Sequence, residues 1–256
     1  MKSSKHLKKH YSAFPKSIGH CSPIDSLVFS PDSKTLISSG YDGQIIVWDW
    51  QNEIVLHRYF TGFGIDHHLK LSPNGVLLAV GIENGLEFIT PRNGRCIHRL
   101  KRWSECVGFV NNNLVLINDY EQSKIVLYEL SSRKPKLVID GHNAIVSKDR
   151  MLVVTDHVLE IRVAVTGEIV KSILLPPELD ASYSTPRLSP DGRWILLHKE
   201  MENPIIIDTE TTEYTYLDFI ERAWSFLHVF SSDNKFLVLG TEFDKDCNKA
   251  VVFECG

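Results

Sequence analysis

The chain has 256 residues, 43% of them hydrophobic and 23% charged, the balance of a globular protein with a core to bury. Its formal net charge of −4 gives no bulk electrostatic pull toward DNA or RNA, and no apolar run approaches the roughly 20 residues of a membrane-spanning helix. The five cysteines (Cys21, Cys96, Cys106, Cys247, Cys255) are odd in number and contain no Cys-x-x-Cys pair, which suits reduced thiols better than a disulfide framework or a zinc site.

The first ten residues carry Lys2, Lys5, Lys8 and Lys9 with His6 and His10. No apolar stretch accompanies them that would make a secretory signal, and they read as a solvated terminus rather than an arm for nucleic acid or anionic lipid. Together with the cysteine usage this predicts a cytoplasmic or nuclear chain. Further on, a phrase begins to recur: Phe29-Ser30-Pro31-Asp32, Leu71-Ser72-Pro73-Asn74, Leu188-Ser189-Pro190-Asp191 and Phe230-Ser231-Ser232-Asp233. Two degenerate copies, Phe109-Val110-Asn111-Asn112 and Val146-Ser147-Lys148-Asp149, fill the gap, so the steps run 42, 38, 37, 42 and 42 residues. A period near 40 residues marks stacked β units.

Each copy follows one script. A short strand enters the turn, where Pro at the second position and Asp, Asn or Gly after it supply the required dihedrals. An apolar strand follows, seen in Leu77–Val80, Leu114–Ile117, Met151–Val154, Trp194–Leu197 and Phe236–Leu239 and shortened to Leu36-Ile37 in the first copy. Such continuous runs predict strands covered on both faces. Third strands are expected at Ile45–Trp48, Leu86–Ile89, Ile125–Tyr128, Leu159–Val163, Ile205–Ile207 and Ala250–Phe253. More polar fourth strands at Ile54–Tyr59, Cys96–Leu100, Leu137–Ile139, Ile169–Leu174 and Tyr214–Leu217 have the alternation of an outer edge facing water. No stretch has convincing helical periodicity.

The sixth copy stops after its third strand, and residues 9–18 have no other assignment. The fold class expected is therefore all-β, a single six-bladed β-propeller spanning residues 1–256, with the N-terminal segment supplying the outer strand of the last blade and so closing the ring. The repeats run over about 19–60, 61–100, 101–140, 141–175, 176–218 and 219–256.

The first copy resembles a WD repeat along its length. Gly19-His20 opens it, Phe29-Ser30-Pro31-Asp32 forms the first tight turn, Leu36 through Gly43 follows, and Trp48-Asp49 ends it. The resemblance implies a buried hydrogen-bond network from Trp48 through Ser38 and His20 to Asp42. The other copies depart from the pattern. The fourth keeps Gly141-His142 and Thr155-Asp156 but has Val163 where tryptophan would stand, and Ile89, Tyr128, Ile207 and Phe253 take that place elsewhere.

Motifs for chemistry are sparse. There is no His-Glu-x-x-His, Gly-x-Ser-x-Gly, phosphate loop or dinucleotide fingerprint. Adjacent His67 and His68 would face opposite sides of a strand, so they make a poor metal pair, and Cys106 reads as a small apolar core residue. Some six-bladed propellers are metal-dependent hydrolases, for which Asp25, Asp66, Glu105 and Asp180 would be the channel acids. The expectation is nonetheless of no catalytic residue, no cofactor and no metal.

In WD-repeat propellers, loops entering the innermost strand and loops joining the second strand to the third share one face. The resemblance places Arg102, Trp103, Arg222, Trp224, His67, His68, Tyr183 and Phe226 in the first set and Tyr41 and Tyr120 in the second. Aromatics beside arginine are the composition of an interface hot spot. The function expected is a non-catalytic interaction module, monomeric as a fold, that binds a protein or peptide on this face, with no nucleic acid or membrane partner. A propeller hydrolase and a small inhibitor that caps a partner's active site are the alternatives.

Overall fold

The computed structural model describes residues 19–62, 68–82, 85–101, 104–155, 157–176, 186–198, 203–217, 225–231, 233–242 and 249–255. The described residues contain no helix; they form antiparallel sheets in which chain order is also spatial order. The strands fall into two compact units divided after Lys101.

The first unit holds two sheets. One is β1 (Ile24–Phe29), β2 (Thr35–Gly40), β3 (Gln44–Asp49) and β4 (Ile54–Phe60). The other is β5 (Leu69–Leu71), β6 (Leu78–Ile82), β7 (Gly85–Ile89) and β8 (Cys96–Leu100). Ile37, Ile45 and Val47 of the one pack against Leu69, Leu78, Val80 and Ile89 of the other, all buried.

The second unit holds four sheets. They are β9 (Ser104–Phe109), β10 (Leu114–Asp119), β11 (Lys124–Glu129) and β12 (Lys134–Asp140); β13 (Asn143–Ser147), β14 (Arg150–Val154), β15 (Val158–Val163) and β16 (Ile169–Leu174); β17 (Arg187–Leu188), β18 (Trp194–Leu197), β19 (Ile205–Asp208) and β20 (Tyr214–Tyr216); and β21 (Ser225–Phe230), β22 (Phe236–Glu242) and β23 (Lys249–Glu254). The apolar second strands are continuous for a physical reason. Met151 and Val153 of β14 pack toward Leu114, Leu116 and Leu127, while Leu152 and Val154 pack toward Leu188, Ile195 and Leu197. Alternate residues of one strand thus serve two interfaces, so every position must be apolar.

The recurring phrase builds one turn four times. Ser30, Ser72, Ser189 and Ser231 donate from Oγ to the side chain of Asp32, Asn74, Asp191 and Asp233 at 2.6, 2.8, 2.6 and 2.6 Å. The same Oγ accepts the N–H of Thr35, Leu77, Trp194 and Phe236 at 2.9 Å, opening the second strand. The residue after the acid or amide is left-handed in each: Ser33 (φ 58°), Gly75 (72°), Gly192 (81°) and Asn234 (63°). The degenerate copies turn differently. Asn111 accepts from the N–H groups of Asn113 and Leu114 at 2.8 and 2.9 Å, and Lys148 (φ 51°) sits in a two-residue hairpin between the paired Ser147 and Arg150.

One assignment shifts by a residue. Third and fourth strands are out of step at Val47/Trp48, Phe88/Ile89, Leu127/Tyr128 and Ile161/Arg162. This recurring β-bulge puts Arg162, not Val163, in register with Trp48. Its guanidinium is held by Glu160 at 2.6 Å and by the carbonyl of Gly167 at 2.7 Å. The segment 9–18, proposed as the closing strand, lies outside the described residues.

Candidate functional site

The first sheet brings His20, Ser38, Asp42 and Trp48 together. Trp48 Nε1–H can only donate, and it does so to Ser38 Oγ at 2.8 Å. Ser38 Oγ is 2.7 Å from His20 Nε2, and His20 Nδ1 is 2.9 Å from Asp42 Oδ1. The Asp42 carboxylate can only accept, so His20 Nδ1 faces it as the donor, while Ser38 Oγ bridges the indole and Nε2. Asp42 also accepts the N–H groups of Cys21 and Gln44 at 2.9 and 3.1 Å. Burial alone would raise its pKa, but these bonds and the one from His20 hold it below the ordinary value. Gly40 has a packing role: a Cβ there would stand 2.8 Å from His20 Nδ1 and 3.0 Å from the carbonyl of Pro23. Every member is bonded to another, so this cluster is a structural brace.

The loop-face residues are placed only in part. Arg102, Trp103, His67, Tyr183, Arg222 and Trp224 lie outside the described residues. His68 is exposed immediately before β5. Tyr41 is 51% exposed in the turn from β2 to β3, its N–H bonded to the carbonyl of Pro23 at 3.0 Å. Tyr120 is 40% exposed just beyond β10 and donates its hydroxyl to Glu105 at 2.5 Å. Phe226 pairs with Thr241 in the β21–β22 ladder, so it belongs to a strand rather than an entering loop. Tyr41 stands at the end of its sheet opposite the Ser30 turn, and Tyr120 at the end of its sheet opposite the Asn111 turn.

The acids weighed for a metal do not assemble among the described residues. Asp66 and Asp180 lie outside them, Asp25 and Glu105 belong to different units, and no group of three His, Cys, Asp or Glu side chains could hold an ion there. Cys106 is 2% exposed and takes part in the apolar core. No described helix is long and apolar enough to cross a membrane.

Three residues of the site end were not singled out from sequence. Asn118, 2% exposed, stands opposite Glu105 in the β9–β10 register and donates from Nδ2 to Asn143 Oδ1 at 3.0 Å. Asn143 opens β13, and Arg187 opens β17. The available signal was a polar residue at a strand end: Asn118-Asp119 ends the Leu114–Ile117 run, and Arg187 precedes Leu188-Ser189-Pro190.

The first sheet, with its tryptophan–serine–histidine–aspartate brace, is a repeat unit of the WD type. Residues 13–49 match the family model described as WD domain, G-beta repeat. The chain is similar to the U3 snoRNP-associated protein-like EMB2271 of Arabidopsis thaliana, 27% identical over 150 residues, 56% of this chain and 29% of that protein. It is also similar to the small ribosomal subunit protein RACK1 of Candida albicans, 31% identical over 91 residues, 36% of this chain and 28% of the relative. A third relative is the U3 small nucleolar RNA-associated protein 18 homolog of Arabidopsis thaliana, 39% identical over 69 residues, 25% of this chain and 12% of that protein. The chain therefore spans less than a third of the length of each relative.

Proposed function

We propose that this chain is a non-catalytic protein-interaction module that binds a partner protein or peptide on the loop face of a six-bladed propeller. The observation that carries the reading is the contrast between the two ends of the sheets. The Ser30 turn spends its side chains on itself, whereas the turn at the opposite end of the same sheet leaves Tyr41 51% exposed, and Tyr120 is 40% exposed at the corresponding turn of the β9–β12 sheet. Exposed tyrosine on a rigid scaffold is interface chemistry. The relatives named for a ribosomal subunit and for U3 ribonucleoprotein support a partner within a ribonucleoprotein assembly, in the cytoplasm or the nucleus. The net charge of −4 favours a protein component over RNA itself.

The ring and its closure belong to this reading. The sixth sheet has three strands among the described residues, and its outward face leaves Val229 and Val252 each 60% exposed. Residues 9–18 pair with β23 and complete it.

The test replaces Tyr41 and Tyr120 with alanine, together with Trp103 and Trp224, and compares partners recovered by affinity purification and mass spectrometry. The specific partners of the native chain are expected to drop out while the melting temperature holds. Undiminished recovery from the stable variants rules the face out.

A further inference from the structure

We propose that Arg187, with Asn118 and Glu105, forms an acceptor site for an acidic peptide segment, the partner's carboxylate seating on Arg187 and an adjacent peptide N–H on Asn118 Oδ1. This deepens the interaction reading and rests on it.

The inner strands β9, β13 and β17 are neighbours in succession within the second unit. Glu105, Asn143 and Arg187 each stand at or next to the first residue of one of them, and Asn118 lies opposite Glu105. The repeat thus brings four polar side chains, far apart in sequence, to one end of adjacent strands. Asn118 is the fixed point. Asn143 Oδ1 already accepts the N–H of Ala144 at 2.8 Å, so it faces Asn118 as an acceptor and obliges Asn118 to present its NH2. The Asn118 Oδ1 is then left buried without a hydrogen-bond partner among the described residues, a desolvation cost that a donor reaching it removes.

Arg187 has the opposite need. Its partly buried guanidinium donates to the carbonyl of Pro186 at 2.8 Å, leaving a planar fork of N–H groups for an anion. Burial pulls its pKa below the ordinary arginine value, and the nearby Glu105 carboxylate acts the other way. Glu105 does not close on Arg187; its Oε2 takes the hydroxyl of Tyr120. The site therefore offers donors at Arg187 and acceptors at Asn118 and Glu105. A peptide carries a side-chain carboxylate and amide N–H groups within a few atoms of each other. A phosphodiester chain repeats the anion without those donors and meets the Glu105 charge at every approach.

The experiment titrates the full chain, labelled with nitrogen-15, with acetyl-Gly-Glu-Gly-amide, its glutamine counterpart and the dinucleotide UpU. It follows the Arg187 Nε–H and Asn118 side-chain NH2 signals, assigned by their loss in R187Q and N118S. The glutamate peptide is expected to shift both signals saturably and the glutamine peptide and UpU to leave them in place. Affinity should fall about tenfold or more in R187Q, which loses a charge-assisted bidentate contact, fall less in R187K, and rise in E105Q as a like charge is removed. A purely structural arginine would give no peptide-dependent shift and no gain in E105Q. No shift with the glutamate peptide overturns the site, and a shift with UpU alone reassigns it to nucleic acid. If the site fails while the Tyr41 and Tyr120 variants still lose their partners, the interaction reading stands without this acceptor site.

Discussion

At the residue scale, the brace around Asp42 couples stability to pH. The carboxylate accepts from His20, from the backbone of Cys21 and Gln44, and from the Gln44 side chain, and its pKa lies below the ordinary 3.8. A folded-state pKa lower than the unfolded one contributes stability that is full above about pH 4 to 5 and is lost as pH falls through the depressed value. Asp42→Asn removes that linkage and turns an NH2 toward a backbone donor, so it should cost about 1–3 kcal/mol at pH 7. The deficit relative to the native chain should shrink toward pH 3. Urea midpoints measured at both pH values check this; a deficit independent of pH would show that the carboxylate charge is not what the brace uses. The four residues of this brace were legible from the WD-type pattern. The donor role of Nδ1 was not, because it depends on which ring nitrogen the Asp42 carboxylate faces.

At the scale of the element, the serine turn provides its own control series. Four turns share one bonding pattern, yet the left-handed position holds serine, glycine, glycine and asparagine. A non-glycine residue there costs roughly 1–2 kcal/mol, offset in part by the greater unfolded-state entropy of glycine. Ser33→Gly should therefore raise unfolding stability by about 0.5–1 kcal/mol, and Asn234→Gly by less, since asparagine tolerates this conformation and its Oδ1 accepts the N–H of Asp191 at 3.1 Å. Thermal melts of the two variants test the ordering, and equal or negative changes would count against it. The strands themselves were legible: third strands expected at Ile45–Trp48 and Ile125–Tyr128 form as Gln44–Asp49 and Lys124–Glu129. The bulge at Arg162 was not, because an extra residue in one strand changes register without changing composition. Nor was the polar end of β9, β10, β13 and β17. A search for aromatic loops passes over single polar residues at strand ends, and only the stacking of repeats brings positions 105, 118, 143 and 187 together.

At the scale of the whole molecule, the proposal to be tested is the closed ring. Each unit has buried clusters of its own, and the sixth sheet presents an edge, β23, with no described strand beyond it. Unpaired edges beside exposed valines are a liability in a monomer, and residues 9–18 are the stretch that the repeat pattern leaves unassigned. If they complete the sheet, the two chain ends are joined by backbone hydrogen bonds and the array unfolds as one cooperative unit. Deleting residues 1–18 should then lower the melting temperature by roughly 5–10 °C, taking about 2–4 °C per kcal/mol for a chain of this size. It should also speed amide exchange along β23 while leaving the β14 amides protected, because β14 is packed on both faces. Calorimetry of the shortened chain adds an independent reading. A broadened or split transition is expected once the chain ends no longer pair. An unchanged melting temperature with unchanged exchange at β23 would mean that the sixth sheet stands as three strands and that the chain ends do not meet.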